Sequence, residues 1–267
     1  MRILVTNDDG VHAPGLWAVA EALNDVGEVF VVAPDRDLSG MGTAVSLRTP
    51  IRARAVPASV AGIETFSVEG TPGDCVILAT QRLVPEPIDL VVSGINDGAN
   101  MGQDVMVSGT VGGALQGWYH DIPSIAVSVA SLSDVRYDAA ARTAAALARA
   151  MGRDSARSPV LLNVNLPNLE AIDIRGIEVT RTGPRAYRET VEPGNDGRNT
   201  YYWIRFDRVN TDGIPEGTDV WAIGDDRISI TALALVTGAG ESATILYDLA
   251  DQVAAALGLT GRPPATV

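Results

Sequence analysis

A doubly wound, mostly parallel α/β sheet is predicted by three observations. Short apolar runs alternate with segments whose apolar residues fall at helical spacing through the first half of the chain. Several of those runs end in polar residues and glycine, as strands of a parallel sheet do at their carboxyl ends. The 267 residues, 46% hydrophobic and 20% charged, are enough to bury a sizeable core.

Residues 3–6 read as the first strand. Residues 15–23 read as a helix, with Leu16, Val19, Ala20 and Leu23 on one face. Residues 29–33 form a second buried strand. Thr71-Pro72 opens a helix, threonine as the cap and proline at the first position, running through Cys75, Val76, Leu78 and Ala79. Strands follow at 88–92 and 125–129, then an alanine-rich helix at 139–151 and a strand at 160–164. From about 177 to 230 no helical pattern is visible, and residues 201–204 and 220–223 read as strands. Gly, Pro, Asp and Asn turn residues separate them, which predicts a β-rich extension of hairpins whose edges need a cover such as another subunit. A helix at about 242–257 and a short tail close the chain.

The balance of 33 acidic against 20 basic residues gives a formal charge of −13, a poor fit to nonspecific binding of nucleic-acid duplexes. Cys75 is the single cysteine, so no internal disulfide forms, and it reads as a small buried apolar residue. The chain enters a strand at once, without the pattern of a signal peptide, and no apolar run is long enough for a bilayer. A cytoplasmic protein is expected.

The most informative segment is Asn7-Asp8-Asp9-Gly10, directly after Ile3-Leu4-Val5. Two adjacent carboxylates at the end of a first strand repel each other unless a cation neutralises them. The plainer reading is that they cap the next helix. Three more polar, glycine-containing stretches fall in strand–helix turns: Asp35 to Gly40, Ser93 to Asn100 and Ser108 to Gly113. Turns after parallel strands converge on one rim, which gathers Asp8, Asp9, Ser39, Asn96, Ser108 and Thr110. Carboxylates, a hydroxyl and an amide carbonyl suit Mg²⁺ or Mn²⁺ rather than zinc. Ser108-Gly109-Thr110 at a helix start suits a phosphate. Each piece has a structural alternative: a turn at Ser39-Gly40, a cap at Ser108-Thr110, left-handed turn positions at Asn96 and Asn100.

His12 and His120 are the only histidines, which excludes a histidine-rich metal site. A P-loop, a dinucleotide fingerprint and a Gly-x-Ser-x-Gly elbow are absent. Cys75, mid-helix among apolar residues, is a poor nucleophile. A metal-activated water remains as the attacking group.

These stretches resemble SurE, the stationary-phase survival protein family of metal-dependent 5′-nucleotidases. The carrying residues run from Ile3 to Gly15, then Val32 to Asp37 with Ser39-Gly40, Gly70-Thr71-Pro72, and Val91 to Asn96 through Gly98, Asn100 and Gly102 to Asp104-Val105. Ser108-Gly109-Thr110-Val111, Val179-Thr180-Arg181, Asn199-Thr200, Tyr202-Trp203-Ile204, Gly217-Thr218-Asp219 and Ile228 to Thr231 complete the match. The resemblance implies metal ligands at Asp8, Asp9, Ser39 and Asn96. It implies phosphate and substrate contacts at Ser39, Gly40, Asn96, Ser108, Gly109 and Thr110. It further implies a Rossmann-like core over 1–176, a β-rich oligomerisation extension over 177–235 and a C-terminal helix and tail over 236–267. Leu38 and Val107 depart from the family pattern, where arginine and tyrosine are common, and both border the expected substrate pocket.

The function this implies is hydrolysis of nucleoside 5′-monophosphates, or other phosphate esters, by a 5′-nucleotidase or acid-phosphatase-like enzyme using Mg²⁺ or Mn²⁺. Asp8, Asp9 and Asn96 carry the chemistry, and His12 is a candidate general acid or else a plain turn residue. A homodimer or homotetramer without membrane or nucleic-acid partners is expected. Two rivals stand beside it. One is a binding protein that holds a nucleotide without turning it over. The other is an aspartyl-phosphate phosphatase, which would want an Asp-x-Asp arrangement and a partner lysine.

Overall fold

A computed structural model of the chain describes residues 1–152, 159–208 and 213–233. The short apolar runs become β1 (Arg2–Thr6), β2 (Glu28–Pro34), β5 (Leu90–Asp97), β6 (Ser124–Val129) and β7 (Leu161–Leu166). The periodic segments become α1 (Pro14–Asn24), α2 (Pro72–Leu78), α3 (Gly109–Tyr119) and α4 (Asp138–Gly152). β3 (Ala53–Ala55), β4 (Glu64–Val68), β8 (Gly176–Thr180) and β11 (Arg227–Ala232) complete a nine-stranded sheet in the order β3-β4-β2-β1-β5-β6-β7-β11-β8. The central strands are parallel, while β3 and β11 run antiparallel to β4 and β7. The expected α/β class, a mostly parallel sheet flanked by helices, is observed.

Alternation along β1 divides the core. Ile3 and Val5 pack on one face with α1 and α4, and Leu4 packs on the other with α2. α2 starts as its sequence predicts. The Thr71 hydroxyl accepts the Asp74 N–H at 3.1 Å and the Asp74 carboxylate accepts the Thr71 N–H at 2.9 Å, a reciprocal cap.

The chain winds outward from β1 through β2 to β4, then crosses back to β5 on the other side of β1. Connections therefore diverge between the carboxyl ends of β1 and β5. In open sheets that crevice is where ligands bind. β5 extends to Asp97, further than expected, which carries Asn96 to the crevice.

Beyond β7 the expectation needs correcting in two places. Residues 220–223 are not a strand but lie in helix α5 (Asp219–Gly224). The Thr218 hydroxyl accepts the Trp221 N–H at 3.3 Å, and this cap overrides the β-forming bias of Val, Trp and Ile. Within 177–235, β8 and β11 are strands of the main sheet. Among the described strands, only the hairpin of β9 (Tyr187–Asn195) and β10 (Thr200–Arg208) stands outside it. Each hairpin strand has nine residues, and Val191, Tyr202, Trp203 and Ile204 are exposed. The Tyr201 and Trp203 rings meet edge to face, with the Arg205 guanidinium over Trp203. The helix expected at 242–257 lies outside the described residues. Among the described residues no helix is long and apolar enough to cross a membrane.

Candidate active site

Asn7, Asp8 and Asp9 leave β1 in a tight turn that Asn7 itself closes. Its side-chain amide donates to the Gly10 carbonyl at 3.0 Å and accepts the Gly10 N–H at 3.2 Å. Gly10 adopts φ +98° against the Arg36 backbone, a conformation that excludes a side chain. Asp8 is then buried and Asp9 partly so. Burial pushes the Asp9 carboxyl up to about 8, and the charges of Asp8, Asp97 and Asp37 add to the shift. Burial also raises Asp8, opposed by its hydrogen bond from Thr110.

The loop after β2 reaches the same place. The Leu38 N–H donates to the Asp8 carbonyl at 2.8 Å, which holds Ser39 beside the β1 turn. The Ser39 hydroxyl and N–H both donate to one Asp37 carboxylate oxygen, at 2.6 and 2.8 Å. This orients the Ser39 oxygen with its lone pairs free. Gly40 follows at φ +81°, so the turn reading of Ser39-Gly40 holds as well. On β5, the Asn96 side-chain nitrogen donates to the Gly98 carbonyl at 2.6 Å, which turns its amide oxygen the opposite way. Neither Asn96 nor Asn100 has a positive φ, so the left-handed alternative for these two falls away.

The start of α3 closes the site. The Ser108 hydroxyl accepts the Val111 N–H at 3.1 Å and caps the helix. Gly109 lies against Asp8: a Cβ there would be 2.7 Å from the Asp8 Cβ and 2.8 Å from Oδ2. The Thr110 hydroxyl, fully buried, donates to Asp8 Oδ1 at 2.5 Å. The sequence places Thr110 among phosphate-binding groups, but the structure commits its hydroxyl to the carboxylate. The Gly109 N–H, at the first position of the helix, has no intrahelical acceptor and is free for an anion.

Behind this layer, Asn100 donates from its side chain to the Ser128 hydroxyl at 2.9 Å, and Thr110 lies 3.5 Å away. The Asn100 carbonyl accepts from Asn163 and Asn165 of β7, at 2.8 and 3.0 Å. Two carboxylates fasten the turn before α3 to the strap that leads into the hairpin. Asp219, fully buried, accepts the N–H groups of Gly102 and Gly183, both at 2.8 Å. Asp104 accepts those of Ala186 and Tyr187, at 2.8 and 3.0 Å, and the Arg185 guanidinium at 3.1 Å. Sequence reasoning missed Asp37, Asp97, Asp104 and Asp219 as contributors. Only Asp37 had a local signal, a carboxylate two residues before the N–H it accepts.

His12 sits exposed on the turn after Gly10, with no hydrogen-bond partner among the described residues. Cys75 is fully buried, and burial pushes its thiol well up, which disqualifies it as a nucleophile. The chain contains no lysine, so an aspartyl-phosphate mechanism lacks its partner cation. Among the described residues no three His, Cys or carboxylate side chains form a metal-binding group. The oxygen set here has two carboxylates, with a hydroxyl and an amide oxygen, and those donors fit a hard divalent ion. The repulsion that adds to the effect of burial on Asp9 is what such an ion relieves. A groove of about 480 Å³ between α4 and strands β8 and β11 contains none of these groups.

The family profile described as Survival protein SurE matches residues 3–189. A 5′-nucleotidase SurE of Dehalococcoides mccartyi (strain CBDB1) is 47% identical over 235 residues, covering 87% of this chain and 88% of the relative. A 5′-nucleotidase SurE of Alkalilimnicola ehrlichii is 40% identical over 264 residues, 98% of each chain. The crystal structure of the SurE protein from Aquifex aeolicus superposes with a TM-score of 0.76 at 37% identity, covering 92% of this chain and 99% of that one.

Proposed function

The chain belongs to the survival protein SurE family, and from that premise we propose that it is a metal-dependent 5′-nucleotidase. It hydrolyses nucleoside 5′-monophosphates, and other phosphate esters in the manner of an acid phosphatase, to the alcohol and phosphate. The observation that carries this reading is the contact between the β1 turn and the start of α3. Thr110 bonds Asp8, and Gly109 lies against it. Paired carboxylates and a helix-start anion site are thereby brought within reach of one phosphate.

Asp8, Asp9, Ser39 and Asn96 would hold the ion, Mg²⁺ or Mn²⁺. When bound, such an ion polarises a phosphoryl oxygen and acidifies a water. Thr110 orients the Asp8 carboxylate and opposes the rise that burial imposes on it. The Gly109 N–H donates to a phosphoryl oxygen and, with the positive end of α3, stabilises its growing charge. Ser39 and Gly40 line the approach to that position. His12, exposed at the rim, supplies the proton to the departing 5′-oxygen. The rival of a nucleotide-binding protein without turnover is disfavoured by relatives named as enzymes.

The test is release of inorganic phosphate from nucleoside monophosphates with Mg²⁺ or Mn²⁺ and with excess chelator. Metal-dependent release is expected. Release unaffected by chelator, or none with either metal, refutes the proposal. A cytoplasmic homodimer or homotetramer completes the proposal, with the exposed hairpin as the element of self-association.

A further inference from the structure

The Gly109 N–H must point at one spot if it is to meet a phosphoryl oxygen, yet the segment that delivers it is weak. A short 3₁₀ turn, Gly102–Val107, runs directly into Ser108 and the start of α3. Hydrogen bonds in such turns are poorly aimed. The closing bond here, from the Ser108 N–H to the Val105 carbonyl, is long at 3.4 Å. Val105 packs with Val111, Ala114 and Leu115 of α3. That contact fixes the depth of the turn but not its rotation, because apolar attraction is non-directional.

Directional bonds come from outside the turn, and Asp104 receives them. Its carboxylate is buried. One oxygen accepts the Ala186 and Tyr187 N–H groups at 2.8 and 3.0 Å, and the other accepts the Arg185 guanidinium at 3.1 Å. Ala186 is itself buried with Val220 and Ile223 of α5, so the strap offers firm ground. The first residue of the turn is seated on the same strap: a Cβ on Gly102 would be 1.9 Å from the Pro184 oxygen. Beyond the turn, Thr110 is held by Asp8. Any slack in the turn is therefore taken up between these two anchors, at the Ser108–Gly109 peptide that carries the phosphate donor.

We propose that Asp104 is a positioning residue for the phosphate: by binding the turn to the Ala186 and Tyr187 amides it sets the rotation of the Ser108–Gly109 peptide and aims the Gly109 N–H. The inference rests on the phosphatase reading above. Its test compares Asp104→Ala and Asp104→Ser, whose side chains reach neither amide, with Asp104→Asn. Asparagine keeps an oxygen for both amides, while Arg185, half-exposed and also paired with Glu189, can turn from the new NH₂ group. A hydrogen bond to a charged acceptor changes affinity about tenfold to a hundredfold, so misaiming it should cost on the order of tenfold. At saturating Mn²⁺, kcat/KM for nucleoside 5′-monophosphates and for glycerol phosphate should both fall by that factor in the alanine and serine variants. The inhibition constant of inorganic phosphate should rise to match. Mn²⁺ affinity without phosphate, read by calorimetry, should stay within about twofold, because Thr110 keeps its bond to Asp8. Asp104→Asn should stay within about threefold of wild type in every measurement.

Unchanged phosphate inhibition with a lower melting temperature would leave Asp104 a part of the fold alone and overturn the proposal. So would weaker Mn²⁺ binding with phosphate inhibition intact, or an asparagine variant as defective as alanine. Failure of both the alanine and serine variants to fold, with asparagine folded, would overturn it as well. No phosphate release by the wild type with either metal refutes the phosphatase reading; calorimetric binding of inorganic phosphate to the Mn²⁺-loaded proteins then decides the role of Asp104 by the same factor.

Discussion

Replacing Thr110 by valine exchanges one hydroxyl for a methyl of nearly equal volume. The site is fully buried, so no water takes the vacated position, and Asp8 loses a donor 2.5 Å away. A hydrogen bond to a charged acceptor contributes about 1.5–3 kcal/mol. At about 1.4 kcal/mol per decade, metal binding through Asp8 should weaken roughly tenfold to a hundredfold. The same bond holds the Asp8 carboxyl down, so its loss raises that carboxyl and makes the defect greatest at acidic pH. Calorimetric titration of Mn²⁺ into wild type and Thr110→Val measures the effect, with thermal melts as a check on folding. Ser108→Ala is the control: it removes the α3 cap, costs about 1 kcal/mol of stability, and should leave Mn²⁺ affinity unchanged. If Thr110→Val bound Mn²⁺ within twofold of wild type while its KM for phosphate esters rose tenfold, the hydroxyl would belong to the phosphate and the reasoning would fail.

Asp8→Asn or Asp9→Asn should abolish turnover with the fold intact, and near-wild-type rates at limiting metal would refute the ligand assignment. Gly109→Ala should displace the Asp8 carboxylate by several tenths of an ångström and weaken Mn²⁺ binding while circular dichroism stays unchanged; wild-type affinity would contradict that contact. Asp9 is raised from 3.8 to about 8, so its contribution to the metal-free fold is complete below pH 3.8 and is lost as pH rises towards 8. Metal binding at pH 6 should therefore release a proton that is absent at pH 9, measurable by calorimetry in buffers of different ionisation enthalpy, and equal release at both pH values would exclude the shift. Excising residues 188–207 of the hairpin and joining the ends with a glycine linker should yield a monomer by light scattering, and an intact oligomer would sink that assignment.

Much of the sheet was legible because each central strand is buried on both faces and therefore apolar throughout. Ile3-Leu4-Val5 and Val29 to Ala33 need no tertiary knowledge to be recognised. Ala53–Ala55 has all three residues exposed and Glu64–Val68 only two buried, so β3 and β4 lack that signal. Val220-Trp221-Ala222-Ile223 misled because strand-forming side chains were weighed without the Thr218 cap. The rim was predictable from topology, since turns after parallel strands converge. The partner of Thr110 was not, because it depends on how closely the start of α3 approaches the turn after β1 and the loop after β2, which is set by glycine contacts at Gly109 and Gly112. Asp104 and Asp219 were unreadable for a related reason: their acceptors' partners are main-chain groups about 80 and 35 to 120 residues away.

Those two aspartates bear on which substitutions the strap between β8 and the hairpin will tolerate. Apart from the Arg185 guanidinium on Asp104, they grip the amide hydrogens of residues 102, 183, 186 and 187. At Ala186 the anchor therefore reads only that a main-chain N–H is present. Proline removes that hydrogen and is barred there, whereas serine keeps it and preserves the anchor. Side-chain drift along this strap is thus tolerated at exposed Thr182, but not at Gly183, where a Cβ would lie 2.8 Å from Asp219 Oδ1, nor as a large side chain at Ala186, buried beside Val220 and Ile223.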